Sequence, residues 1–268
     1  MLLPKSVFVF LTQNILPKGL PQAFSLTGIL ASYGPSLAGL TIVAVCSGRS
    51  GVNEWLARWM RWRVSWKWYA AALLCAPVLF VVQHLVTHPA RAFDRLFLHS
   101  APGEVRDAVV GFFLLILLYF PYVAGEEGGW RGFVLPHLQA RYGPIWASCM
   151  IAPLWLAWHL PGVPPAMATS LVQLRALLVM MLFCVACTWI FNGAQGSILP
   201  VVLWHATTDA MGDMERHFFP LTGDLAPGHA IGDWILWPIV ALVLIWLTRG
   251  RLGYRNDEMR PRQSEKLM

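Results

Sequence analysis

Seven apolar blocks, each about 15 to 21 residues long, organise this chain: 26–46, 66–86, 108–124, 144–160, 171–191, 197–211 and 231–248. A helix rises about 1.5 Å per residue, so about 20 residues cross a hydrocarbon core. Lipid offers no water to the backbone, and a helix satisfies its own N–H and C=O groups. Blocks of this length therefore predict an all-α, polytopic transmembrane bundle of seven or eight spans. The eighth candidate is 6–16, "SVFVFLTQNIL", which is short and interrupted by Gln13 and Asn14. It reads as a short span or an interfacial helix, without the charged start and cleavage site of a signal peptide. Several blocks fall short of a full span, which points to embedded segments near a functional centre.

The space between the blocks leaves room for no soluble domain, so residues 1–268 read as a single multi-pass membrane domain. Composition agrees: 57% of the residues are hydrophobic and 13% charged, against about a quarter charged in soluble domains. The formal net charge of +6 would suggest nucleic acid if it were clustered as a footprint, but its distribution follows topology. Arg49, Arg58, Arg61, Arg63 and Lys67 face only Glu54 between the first two long blocks. After the last block, Arg249, Arg251, Arg255, Arg260, Arg262 and Lys266 outweigh Asp257, Glu258 and Glu265. The loop 212–233 is acidic, with Asp213, Glu215, Asp224 and Asp233 against Arg216. Alternation along the spans puts both basic segments on one face. Lys and Arg collect on the cytoplasmic side, so the tail 249–268 and the C-terminus are expected there, in contact with membrane lipids. A nucleic-acid partner is excluded. Cys46, Cys75, Cys149, Cys184 and Cys187 all lie in or beside apolar runs and read as small buried hydrophobes.

Ionisable groups inside such spans cost about 2.5–3.5 kcal/mol each on the milder scales and usually serve function. They occur in three places: "GEEGGWRGF" with Glu126, Glu127 and Arg131, "PLWLAWHLP" with His159, and "LPVVLWHATTDAMG" with His205 and Asp209. Glu127 and Arg131 are helix neighbours at i,i+4 and can pair. Glu126 points about 100° further round and is left for chemistry as a general base. Gly128 and Gly129 suggest that a neighbouring helix or a substrate backbone comes close. His205 and Asp209 share a face at i,i+4, and Pro161 should end the span just beyond His159. His84 and His88 near a span end, and His99, His137, His217 and His229 in loops, read as snorkelling or solvated.

Glu-Glu-x-x-x-Arg, then an aromatic-x-x-x-His, then His-x-x-x-Asn/Asp, on successive membrane helices, resembles the CPBP intramembrane protease family. That family includes the type II CAAX prenyl endopeptidases and many prokaryotic relatives. The resemblance covers roughly 108–212 and is carried by Glu126-Glu127-Gly-Gly-Trp-Arg131, Trp155-Leu-Ala-Trp-His159 and His205-Ala-Thr-Thr-Asp209, with "RGFVLPHL" after the first motif. Trp155 stands where the family more often has Phe, and Asp209 where Asn is commoner.

The resemblance implies that Glu126 activates a hydrolytic water, His159 helps to hold it, and His205 with Asp209 stabilises the oxyanion or completes a metal site. Arg131 would brace Glu127, and Trp155 would pack. The substrate would be a peptide or a lipid-anchored protein segment, prenylated CAAX-type in the eukaryotic members. Glu126, His159, His205 and Asp209 are also a plausible zinc set, although HExxH is absent. Glu126 and His159 reach the same depth if the helix of the first motif runs from about 112 to 135, with Glu126 near its middle, and if the next helix is tilted. The competing readings are a proton-coupled transporter with a Glu/His/Asp relay, and a non-catalytic family member acting as a binding or immunity factor.

Overall fold

Each apolar block forms helix, as a backbone without water must, and the described residues contain no strand. The structure is a computed structural model that describes residues 26–87, 102–162, 170–218 and 237–255. The candidate segment 6–16 and the readings of His88, His99 and His229 lie outside what it describes, as does the side chain of His217, whose backbone is helical rather than in a loop. In chain order the helices are α1 (Leu26–Ser32), α2 (Gly34–Met60), α3 (Trp66–Thr87), α4 (Pro102–Gly129), α5 (Leu135–Tyr142), α6 (Pro144–His159), α7 (Ser170–Gly193), α8 (Leu199–Phe218) and α9 (Trp237–Leu247). A single π turn, Trp130–Val134, joins α4 to α5, and Leu160–Gly162 adds a 3-10 turn to α6.

The helices overrun the blocks that predicted them. Hydropathy marks where lipid is, whereas a helix ends where its backbone bonds stop. So α2 continues through the basic segment to Met60, bending at Gly48, whose φ of 57° lies in the left-handed region where glycine is at ease. The acidic loop expected from 212 begins as helix and stays helical to Phe218. Among the described residues, four stretches are long and apolar enough to cross a membrane: Leu26–Met60, Trp66–Val86, Val105–Tyr142 and Gln173–Gly193. Their outward faces are apolar as well, with Val45 80% and Leu117 69% exposed. A helix apolar all round belongs in lipid, and the chain is an integral membrane protein.

Two compact units, each drawn from three stretches, divide these helices. The first takes its residues from 1–34, 69–126 and 202–236, and its buried core includes Ala72, Leu115, Val123, Trp204 and Ala210. The second takes 35–68, 127–201 and 237–268, with Leu135, Ile151, Trp155, Ile190 and Ile198 buried. There α6 packs on α7 and α5, and a Ser148–Thr188 hydroxyl pair at 2.7 Å and a Gln139–Asn192 amide pair at 3.0 Å cross between helices. Leu252, fully buried, closes a small cluster with Val185 of α7 and Ala241 of α9.

Two histidine readings are corrected. His84 is buried rather than snorkelling, and its Nδ1 bonds the Phe80 carbonyl one turn back at 2.9 Å. His137 is half-buried on α5 rather than in a loop, bonded in the same way to Phe133 at 2.7 Å. A carbonyl one turn back can satisfy a ring nitrogen without any water.

Candidate active site

In the second unit, Arg131 Nη1 meets Glu127 Oε1 at 2.9 Å, with both side chains at 1% exposure or less. The i,i+4 brace expected from spacing is present, and it is wholly buried. Arg131 also stacks over the Trp155 ring at 4.5 Å and points Nη2 at Cys184 Sγ, 3.5 Å away. Arg suits this place because its planar cation can bond in its plane and stack on its face. Trp155 thereby has a role beyond filling space, since it supports the cation that neutralises Glu127.

The π turn follows directly. Leu135 N–H bonds Trp130 O, five residues back, which adds one residue to the turn just after the motif. Such turns recur at functional sites. The glycines before it mark the close approach that their sequence suggested. A Cβ on Gly129 would sit 2.3 Å from the backbone carbon of Pro35, at the start of α2. Gly128 O accepts from Trp55 Nε1 at 2.9 Å. Gly129→Ala gains about 1 kcal/mol of helix propensity, but overpacking against backbone costs about 1–3 kcal/mol. A net loss of stability is expected, to be read as a lower unfolding temperature in detergent.

His159 is the last residue of α6, and Pro161 ends the helix just beyond it, as expected. Its Nδ1 lies 2.8 Å from Trp155 O. A carbonyl only accepts, so Nδ1 carries the proton and Nε2 of the neutral ring is an acceptor.

In the first unit, His205 Nε2 and Asp209 Oδ2 are 3.8 Å apart, longer than a hydrogen bond but close enough to attract once the imidazole is charged. Glu126 is fully buried. It lies 21 residues after Val105 and 16 before Tyr142 in that 38-residue stretch, so the motif sits in mid-helix, as the shared depth required. The Tyr122 hydroxyl stands within the electrostatic reach of the Glu126 carboxylate and of Asp209. One turn away, Tyr119 Oη donates to Asp213 Oδ2 at 2.8 Å, both residues buried.

The first unit thus gathers Glu126 and Asp209 around Tyr122, whereas Glu127, Arg131, Trp155 and His159 belong to the second. Tyr122, Tyr119 and Asp213 had no role in the sequence reading. Their signal was spacing: Tyr122 is four residues before Glu126, and Asp213 four after Asp209. Among the described residues no three His, Cys, Asp or Glu side chains form a group that could hold a metal ion. The zinc reading gains no support from them.

Comparison with known proteins comes to the same helices. The family model "Type II CAAX prenyl endopeptidase Rce1-like" matches residues 107–211. The CAAX prenyl protease 2 of Methanococcus maripaludis is 24% identical over 144 residues, 53% of this chain and 51% of that protein. The chain therefore spans about half the length of this relative. All three motifs stand in family order inside the matched segment, and over 107–211 the chain is similar to the type II CAAX prenyl endopeptidases.

Proposed function

We propose that the chain is an intramembrane endopeptidase in which Glu126 is the general base. The observation that carries this reading is the fully buried Glu126 carboxylate, with Tyr122 within electrostatic reach of both it and Asp209, a residue more than 80 positions away in sequence. Buried acids in a membrane protein are expensive, and peptide hydrolysis supplies a reason to keep them. Glu126 takes a proton from water as its oxygen attacks the carbonyl carbon. The oxyanion then collapses, the C–N bond breaks, and Glu126 returns the proton to the leaving nitrogen. His205, charged with the help of Asp209, donates to the oxyanion. By resemblance to the family, His159 is assigned to holding the water. Glu127 and Arg131 neutralise each other and keep the motif helix in place.

The proposed substrate is a peptide or lipid-anchored protein segment. A prenylated C-terminal CAAX-type sequence is the form that the relative's name points to. The charge of the basic segments favours a cytoplasmic C-terminus. The test is cleavage of a quenched peptide library and of a farnesylated CAAX peptide by the detergent-purified protein. Cleavage at one bond supports the reading. No cleavage, together with proton flux in liposomes, would replace it with the transporter reading.

A further inference from the structure

Helices α4 and α8 carry more polar register than the family motifs use. Tyr119, Tyr122 and Glu126 recur on α4 at steps of three and four, and so share one face. On α8, His205, Asp209 and Asp213 recur at steps of four. Tyr119 bonds Asp213 at 2.8 Å, and Tyr122 stands near Asp209. Moving forward on α4 therefore means moving backward on α8, so the two helices are antiparallel along this seam. Tyr119 to Glu126 is seven residues, about 10.5 Å of rise, and Asp213 back to His205 is eight, about 12 Å. The difference is the rise of one residue, so Glu126 stands level with His205.

We propose that the buried Tyr119–Asp213 hydrogen bond is a register pin that holds α8 along α4 and keeps Glu126 level with His205. Tyr119 and Asp213 are then positioning residues of the hydrolytic site. The functional consequence rests on the hydrolytic reading above, but the geometry does not. Apolar contacts between helices in lipid have no hydrophobic driving force to fix their register, and Val or Leu faces tolerate a slide. A Tyr–Asp bond does not tolerate one, because a shift of one turn would strand a buried acceptor. The pair lies outside all three motifs, and Asp213 lies beyond the matched segment.

Two measurements test the pin. Against the quenched peptide that the wild type cleaves fastest, Tyr119→Phe should lower kcat about 10- to 100-fold, since misplacement by about 1 Å costs up to about 10²-fold. KM should stay within about twofold. Asp213→Asn keeps an acceptor and should recover most of the rate lost in Asp213→Leu. Adding Asp213→Leu to Tyr119→Phe should cost little more than either change alone. Independently of activity, Glu126→Cys with His205→Cys should be linked by a short bismaleimide, identified by mass spectrometry of the joined peptides. Adding Tyr119→Phe or Asp213→Asn reports the pin: Tyr119→Phe should lower the yield severalfold and Asp213→Asn should lower it less. Equal yields with and without Tyr119 would overturn the pin, as would no link in the chain with Tyr119 intact. A link that depends on Tyr119 in a protein that cleaves no peptide would uphold the pin and remove the hydrolytic reading.

Discussion

Glu126→Gln is expected to abolish peptide cleavage while the protein stays folded, with an unfolding temperature in detergent that is unchanged or higher. The amide keeps the size of the side chain, so packing is retained. What is lost is basicity. A positioned general base contributes about 10²–10⁴-fold, and at the upper end the residual rate would fall below detection. The direction of the stability change follows from burial. Glu126 is fully buried, and a carboxylate within a span costs about 2.5–3.5 kcal/mol, part of which the amide removes. A residue kept for chemistry at the expense of stability gives this signature. Glu126→Asp should fall between the two, because it preserves the base but withdraws it by about one methylene. The assay is kcat/KM on the best library peptide beside a thermal unfolding curve. A Glu126→Gln protein that unfolds early and cleaves normally when folded would assign the glutamate to structure.

Arg131→Met shows the opposite pattern, with stability lost first and activity lost as a consequence. Arg131 and Glu127 are each exposed by 1% or less, and their 2.9 Å contact is sealed under Trp155. Removing one partner of a buried pair leaves its counter-charge uncompensated and costs about 3–5 kcal/mol. That is a large share of the total stability of about 5–15 kcal/mol typical of a folded domain. Replacing both residues, as in Glu127→Gln with Arg131→Met, removes both charges and should restore most of the unfolding temperature. Arg131→Lys should fall between, since an ammonium keeps the charge but loses the planar stack on Trp155. Unfolding curves of the wild type, Arg131→Met, Glu127→Gln and the double replacement close the cycle and give the coupling. If the double replacement is no better than Arg131→Met, the brace reading fails.

These two neighbours behave differently for a reason visible in their spacing. Glu127 and Arg131 are one turn apart on one helix, so their pairing was legible before any coordinates. The same holds for His205 and Asp209, and for Pro161 ending the helix after His159. Each is an interaction within one segment, where helix geometry alone sets the distance. The glycines were legible in kind, since Gly128 and Gly129 announced a close approach, but not that Pro35 and Ser36 would make it. The helix limits were misjudged where hydropathy was the guide. Residues 47–60 and 212–218 are helical although charged, because a polar stretch can continue a helix that lipid began.

By itself, the sequence determined the all-α membrane architecture, since the length of each apolar block is set by the thickness of lipid. It also determined the three motifs and the pairings internal to one helix. Only the tertiary structure decided that Tyr119 meets Asp213, that Tyr122 comes within electrostatic reach of Asp209, and that Arg131 lies on Trp155 and Cys184. Those contacts depend on the rotation and register of one helix against another. The apolar faces leave both nearly undetermined, and the few buried polar groups settle them once the helices are packed.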